Sequence, residues 1–390
     1  SVPILGEELR PTHELLGRIT SRPILAQVDS PSVDASLKDG YALRSEDVAA
    51  ATRSSPVELE LVGCIGAGGS PEMAIVPGTA IRILSGAVIP RGANAVLAEE
   101  YTVLEGSVVR VFGDAHPGRN ILTRGTDVRV GEVLVQPGEK LSPAKIGILV
   151  AGGVTAAWVY RKPAVGLLAT GDEVLLLDTP MKEGKVYASN MALQQASLSS
   201  FGIDCVTAVS GDSLNQLISH IKLMLPDLDM LVTSGGAWTG DRDLVVKALD
   251  QLDWKPIFHR VRMGPGKAVR MGLLEGKPIF CLPGGPPSNE MAFFMIVLPA
   301  ILRMSGCTKP PFPELYGRLT QEIFGQSDWT QFVHCSVEQQ KGEFHITPLN
   351  MTRRLSAMSR THAIVKIPEG VEQLDTQTVL PFAMVNGEYS

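Results

Sequence analysis

Asp229-Met-Leu-Val-Thr-Ser-Gly-Gly-Ala-Trp-Thr-Gly-Asp-Arg-Asp243 opens with an apolar run and breaks on glycines. Met230 to Val232 reads as a strand of a parallel sheet, since a strand covered on both faces carries apolar residues without alternation. Ser234, Gly235 and Gly236 mark a sharp turn, and a helix is predicted from Asp241 with Leu244, Val245, Ala248, Leu249 and Leu252 on one face. Strand, glycine turn and helix N-terminus in that order present backbone N–H groups to an anion, and the helix dipole favours negative charge there. Asp241 and Asp243 equally suit a capping role, so this stretch alone leaves a phosphate site and a tight turn as alternatives.

The pattern occurs twice more. Ala164-Val-Gly-Leu-Leu-Ala-Thr-Gly-Asp-Glu173 runs an apolar strand into Gly171, Asp172 and Glu173. Pro278-Ile-Phe-Cys-Leu-Pro-Gly-Gly-Pro-Pro-Ser-Asn289 runs another into a Pro/Gly loop and then a long apolar helix. Open α/β sheets bind ligands outside the carboxyl ends of their strands. Three such loops, two of them acidic, predict a binding site at one sheet edge.

Composition narrows the rest. A chain of 390 residues is too long for one ordinary core, so two to four domains are expected. With 35 Lys+Arg against 41 Asp+Glu and no basic stripe, nucleic acid is excluded as a partner class. Cys64, Cys205, Cys281, Cys307 and Cys335 are scattered and never form C-x-x-C, which suggests a reducing compartment and argues against a zinc site or a disulfide framework. The longest apolar run, Ala292 to Leu302, contains Pro299 and is too short to span a bilayer. Ser1 to Arg10 lacks the basic segment and apolar core of a signal peptide. The expectation is a soluble cytoplasmic protein with no membrane contact.

Along the chain, Leu15, Leu16 and Ile19 suggest a short N-terminal helix. Ser30-Pro-Ser-Val-Asp-Ala-Ser-Leu-Lys-Asp-Gly-Tyr-Ala42 is either a solvated loop or a ligand loop. From Val57 to about Val135, β-branched residues punctuated by glycine and proline predict a small, mostly antiparallel β domain. Gly66-Ala-Gly-Gly69 is discounted as a dinucleotide fingerprint because no amphipathic helix follows it. Ser142-Pro143 caps a helix that stops at Gly152 or Gly153, and a strand Ala156 to Tyr160 follows. Helices from Ser189/Asn190 to Gly202 and from Asp212/Ser213 to Pro226 alternate with the strands above, which implies a doubly wound sheet. Lys309-Pro-Pro-Phe-Pro313 reads as a stiff linker, and short strands from Leu315 to Val385 as a β-barrel or sandwich.

Taken in order, these residues resemble a family. Lys38-Asp-Gly-Tyr-Ala42, Ile81-Arg-Ile-Leu-Ser-Gly-Ala87, Arg119-Asn-Ile121, Arg124-Gly-Thr-Asp127, Thr170-Gly-Asp-Glu173, Ser234-Gly-Gly236, Gly240-Asp-Arg-Asp243, Pro265-Gly-Lys267 and Leu282-Pro-Gly284 are similar to the marks of the MoeA-type molybdopterin molybdotransferases and of the C-terminal domain of gephyrin. The resemblance implies a multidomain α/β plus β chain. Its parts would be a discontinuous linking domain (residues 1–30 and 136–163), an inserted small β domain (31–135), a doubly wound, MogA-like, molybdopterin-binding α/β domain (164–308) and a C-terminal β-barrel (312–390). It also implies a homodimer whose cleft lies between the α/β domain of one subunit and the β domain of the other.

The implied reaction takes adenylylated molybdopterin and molybdate, cleaves the pyrophosphate in a Mg²⁺-dependent step with release of AMP, and leaves metal on the dithiolene. A hard cation prefers carboxylate oxygens and retains several waters. Glu173, Asp243 and Asp212 are the expected metal ligands and, with Asp39 and Asp127, the expected catalytic residues; Asp172 is a further carboxylate at the same edge. Asp39, Ser85, Glu100 and Asp127 would come from the partner subunit, their alternative being turn caps or a solvated face. Phosphate would meet Thr170, Gly171, Ser234, Gly235, Gly236, Gly284, Gly285 and Lys267. Molybdate would meet Lys267, Ser288, Arg354 and Ser356, although Arg353, Arg354 and Arg360 equally suit a solvated basic face. Trp238 would stack on a pterin or adenine ring, and equally suits a rim anchor or a partial core residue.

Departures from the pattern affect the anion loops. Gly264 stands where many members carry a lysine, Gly285 for an asparagine followed by Pro286-Pro287, Thr126 for a glutamate, Ser85 for a threonine, and His334 near an expected arginine. Two missing cations would weaken oxyanion binding by roughly 1.5–3 kcal/mol each unless His334 is protonated. The sequence also starts late against the family pattern, so a leading helix is expected to be either absent or outside this sequence. The alternatives are therefore a molybdopterin-binding paralogue acting as carrier, sensor or scaffold, and a tungstate-using variant. A molybdopterin adenylyltransferase is the expected partner enzyme.

Overall fold

A computed structural model describes residues 2–69, 72–235 and 244–387. The chain divides into two units, Leu9–Val159 and Ser1–Glu8 with Tyr160–Ser390.

The larger unit contains an open sheet of β1 (Val165–Thr170), β2 (Cys205–Ser210), β3 (Met230–Ser234), β4 (Lys255–His259), β5 (Arg270–Leu274) and β6 (Lys277–Leu282). The order is β2-β1-β3-β6-β5-β4. The first four of these run parallel, with Val165 beside Met230 and Leu231 beside Ile279, and β5 and β4 return antiparallel. Every residue of β1 and β3 is buried, as their unbroken apolar runs require. Pro256 is tolerated because β4 is an edge strand.

Successive strand residues point to opposite faces, and helices cover both. On one face, α1 (Ser189–Ser200) and a long helix of residues 286–304 bring Met191, Leu198, Phe293 and Ile301 against Val165, Leu167 and Val232. On the other, α2 (Leu214–Met224) and α3 (Leu244–Gln251) bring Leu217, Ile221 and Leu249 against Leu168, Leu231 and Ile279. Burial of each such side chain contributes about 1.5–3 kcal/mol. The sheet is therefore doubly wound. The long helix, α4, starts with Pro286 and Pro287 where no N–H is needed, and takes a π-helical turn over Phe293–Val297 ahead of Pro299.

The C-terminal part closes into a barrel of β7 (Glu314–Leu319), β8 (Thr330–Gln340), β9 (Glu343–Pro348), β10 (Ala363–Ile367) and β11 (Val379–Met384). The ring runs β8-β9-β7-β11-β10 and back to β8. Its interior holds Leu319, Val337, Ile346, Val365 and Phe382. Closure leaves the ring no free edge, which decides between barrel and sandwich. The expected stiff linker is docked: Phe312 packs edge-on against Phe201 and Phe294, with centroids 6.2 and 5.1 Å away.

The Leu9–Val159 unit carries a six-stranded sheet ordered Ala95–Ala98, Gly40–Leu43, Thr79–Ile83, Val57–Ile65, Val108–Val111, Thr102–Glu105. All its pairings are antiparallel except that of Val57–Ile65 with Thr79–Ile83. The helix Pro143–Ala151 forms with Ser142 Oγ accepting from the Lys145 N–H, and Gly152 caps its end. It packs on Leu15, Leu141 and Val159. The expected N-terminal helix does not form. Only a 3-10 turn, Thr12–Glu14, is present, because Gly17 takes a φ of +74° and Ile19 and Thr20 are drawn into bridges with Lys140 and Val159. Among the described residues, no helix is long and apolar enough to cross a membrane.

Candidate functional site

The parallel strands end together, and each end bends on a glycine. After β1, the Gly171 N–H donates to the Ser210 carbonyl at 3.1 Å, which ties the ends of β1 and β2. Two carboxylates then interlock: Asp212 N–H donates to Asp172 Oδ1 at 2.9 Å, and Asp172 N–H to Asp212 Oδ2 at 3.3 Å. Glu173 folds back over the turn, its Oε2 2.6 Å from where a Cβ on Gly171 would stand. All three side chains are exposed, and Lys185 Nζ holds the Asp172 carbonyl at 2.6 Å. Asp172, Glu173 and Asp212 thus share one edge.

The next strand end demands glycine. Gly235 has a φ of +109°, and a Cβ there would meet Thr170 Oγ1 at 2.5 Å. Its N–H donates to the Leu282 carbonyl at 3.0 Å, so Thr170, Gly235 and Leu282 join three adjacent strands. Gly236, Trp238, Asp241 and Asp243 lie outside the described residues, and Asp243 is the expected ligand whose position is therefore not given.

A buried polar network secures the third loop. Asn289 Nδ2 donates to Ser234 Oγ at 3.0 Å and to the Pro283 carbonyl at 2.9 Å, while its Oδ1 accepts from Gln194 Nε2 at 2.7 Å. Asn190 Nδ2 donates to the Gly284 carbonyl at 2.8 Å. Gln194 and Asn289 are each 1% exposed, so the bond between them takes the place of water. They hold Gly284 and Gly285 against β3. Sequence reasoning missed both amides. The available signal was an asparagine inside an otherwise apolar helix.

Beside this edge lies a cavity of about 420 Å³, lined by Lys267, Ser288, Gln326, Trp329, Gln331 and Phe332 among others. A short parallel ladder builds it: Met263 pairs with Thr330, and Gly264 with Gln331. Lys267 Nζ stands over the Trp329 ring, 4.7 Å from its centroid. Arg354 and Ser356, both exposed, sit on the short helix Arg354–Met358, which lies against the start of α4 but does not line the cavity. Arg360 turns its Nε to the Ser356 carbonyl at 3.2 Å.

His334 departs from its expected role. It is 2% exposed, with Nε2 2.7 Å from Glu290 Oε2, so it is an interior partner of a carboxylate rather than a cationic donor to the cavity. At the opposite end of β3, Arg161 grips Asp229 through two bonds of 2.6 and 2.7 Å. Burial opposes ionisation of Asp229, but Arg161 and the Ala164 N–H outweigh it and hold the carboxyl below its ordinary pKa.

The Leu9–Val159 unit gathers its own acidic loops. Asp39 Oδ1 accepts from the Ser85 N–H at 2.7 Å, and its carbonyl from the Glu99 N–H at 3.3 Å, next to Glu100. Glu99 pairs with Arg82 at 2.8 Å. Asp127 is held elsewhere, its N–H on the Ser30 carbonyl at 3.0 Å.

Among the described residues no three His, Cys, Asp or Glu side chains form a ready-made metal cluster. Mg²⁺ usually takes one or two carboxylates, with waters and substrate phosphates filling the rest of its shell, and Glu173 and Asp212 can each offer one such oxygen donor at this edge.

Family models match almost the whole chain: the MoeA N-terminal region (domain I and II) over residues 1–153, a probable molybdopterin binding domain over 166–303, and the MoeA C-terminal region (domain IV) over 316–382. The molybdopterin molybdenumtransferase 2 of Mycobacterium tuberculosis is 30% identical over 378 residues, covering 95% of this chain and 93% of that protein. The molybdopterin molybdenumtransferase of Staphylococcus epidermidis is 29% identical over 361 residues, covering 92% and 86%. A crystal structure of the molybdopterin biosynthesis moea protein from Pyrococcus horikosii matches with a TM-score of 0.83 at 30% identity, covering 99% of this chain and 96% of that one.

Proposed function

The chain belongs to the molybdopterin molybdenumtransferase family, and from that premise we propose that it inserts molybdate into adenylylated molybdopterin with Mg²⁺-dependent release of AMP. It is a transferase of molybdenum cofactor biosynthesis. The observation that carries the finer reading is the interlocked Asp172–Asp212 pair, with Glu173 beside it, at the edge where Thr170, Ser234 and Gly235 bend.

Cleaving a pyrophosphate requires its charge to be met and its phosphorus to be held in line with the attacking oxygen. Glu173, Asp212 and Asp243 are proposed as the carboxylates from which a divalent cation would draw its one or two protein ligands; when bound it would neutralise phosphate charge, with Asp172 beside Asp212. Gly236, Gly284 and Gly285 are proposed as backbone donors to the phosphates, with Thr170, Ser234 and Gly235 shaping the turn beside them. Lys267 and Ser288 present an ammonium and a hydroxyl to the oxyanion. Arg354 and Ser356 are proposed as secondary donors from the neighbouring helix.

The domain boundaries given above remain part of this reading, as does a homodimer in which Asp39, Ser85, Glu100 and Asp127 of the partner subunit complete the cleft. Free cysteines suit a cytoplasmic enzyme supplied by a molybdopterin adenylyltransferase.

The test is AMP release from adenylylated molybdopterin with Mg²⁺ and either molybdate or tungstate. AMP in proportion to enzyme turnover is expected, and a folded protein that releases none with either oxyanion overturns the proposal. One observation favours a second reading. Lys267 is the only cationic side chain among the cavity-lining residues, which suits a pterin carrier; tight pterin binding without AMP release would select it.

A further inference from the structure

The cavity next to the carboxyl edge has one ammonium, and that ammonium has an unusual neighbour. Among the described residues Lys267 makes no ion pair, and its contact is the face of Trp329, 4.7 Å from the ring centroid. A lysine side chain is a point charge on a flexible four-carbon stem, so an exposed one spreads over many rotamers. Setting the ammonium over an aromatic face narrows that spread and offsets part of the entropy lost when an anion binds.

The indole itself is fixed. Its Nε1–H donates to Gln326 Oε1, and the adjoining Thr330 and Gln331 are paired to Met263 and Gly264. Arg262 clasps the Asp328 carbonyl at 2.8 Å on the other side. Gly264 lies beside the ring, where a Cβ would make an ordinary van der Waals contact 3.9 Å from Trp329 Nε1.

We propose that Trp329 is a positioning residue for the oxyanion: its indole face keeps the Lys267 ammonium inside the cavity. The inference rests on the reading of Lys267 as the oxyanion's cationic donor. It assigns Trp329 no contact with the oxyanion, only the task of holding the group that meets it.

Calorimetric titration of the full-length protein with sodium molybdate tests this, using Trp329→Ala, Trp329→Phe, Lys267→Met and the Trp329→Ala/Lys267→Met double variant, each checked for an unchanged melting temperature. Trp329→Ala should weaken binding roughly two- to five-fold, the range a cation–π contact of an exposed lysine supports. Trp329→Phe should restore most of it, because the face is what matters. In the Lys267→Met background the tryptophan should no longer count. Wild-type affinity in Trp329→Ala alongside a weakened Lys267→Met overturns the positioning role and leaves the oxyanion seat intact. Wild-type affinity in Lys267→Met, or no binding by the unaltered protein, removes the seat and this inference with it. A full additive loss in the double variant also overturns it, since the ring would then act without the lysine.

Discussion

Nε2 of His334 lies 2.7 Å from Oε2 of Glu290, an imidazole and a carboxylate both shielded from water. The contact joins the start of α4 to barrel strand β8 and sits behind the cavity wall, since Ser288 and Phe332, each two residues away, line the cavity. An interior carboxylate is tolerated only with a good donor.

Removing one partner should therefore be costly. His334→Leu leaves Glu290 without its donor and should lower unfolding free energy in urea by about 3–5 kcal/mol. Replacing both, as Glu290→Met with His334→Leu, should recover most of that loss because no buried charge remains. A single variant as stable as the unaltered protein would show that the contact contributes nothing.

At the carboxyl edge, Glu173→Gln and Asp212→Asn keep shape and remove charge. Each should lower AMP release about 10²–10³-fold, the usual scale for losing one preorganised electrostatic group, with melting temperature within a degree or two. Raising Mg²⁺ should recover part of the activity if the carboxylates act through a cation. Full activity in both variants would shift the chemistry away from this edge.

Asp229 gives an acid limb to stability. Burial opposes its ionisation, but Arg161 and the Ala164 N–H hold its pKa below the ordinary 3.8, so the ionised form is favoured by folding. That contribution is complete above the unfolded-state value and disappears as pH falls through the lower folded value. Asp229→Asn should thus be less stable than the parent at pH 6, and the gap should narrow only below about pH 4. Urea titrations at several pH values would show it, and a gap that widens towards acid would refute the assignment.

Cysteine labelling offers a chemical check on burial. Desolvation in the barrel interior pushes the Cys335 thiol up to about 12, so it carries almost no thiolate at neutral pH. Iodoacetamide should modify exposed Cys64 in the native protein and reach Cys335 only after denaturation. Mass spectrometry of peptides from both states reads this directly, and native labelling of Cys335 would contradict the closed barrel.

Much of the fold was legible because it is written locally. Apolar runs into Gly171, Gly235 and Gly284 announce parallel strands, and Ser142-Pro143 states a helix start with a hydroxyl acceptor and a preset φ. Leu15, Leu16 and Ile19 mislead because helical spacing there competes with Gly17 and with strand bridges to Lys140 and Val159, which no local window contains. The same limit hid the site's supports. Asn289 meets Ser234 across 55 positions and His334 meets Glu290 across 44, distances over which periodicity carries no information. The resemblance located Lys267 and Ser288, but their neighbour Trp329 lies 62 positions from Lys267 and followed from no local pattern.

The two-residue ladder of Met263–Gly264 with Thr330–Gln331 has a consequence for how the protein can change. Strand side chains alternate, so a shift of one residue exchanges inside for outside. Deleting a single residue between Phe324 and Trp329 would leave the hydrogen-bonding groups able to pair again, yet would turn the indole away from Lys267 and present its neighbour instead. The segment is therefore constrained in length as well as at Gly325, where a Cβ would run into the Val371 carbonyl, and at Gln326, which accepts from the indole N–H.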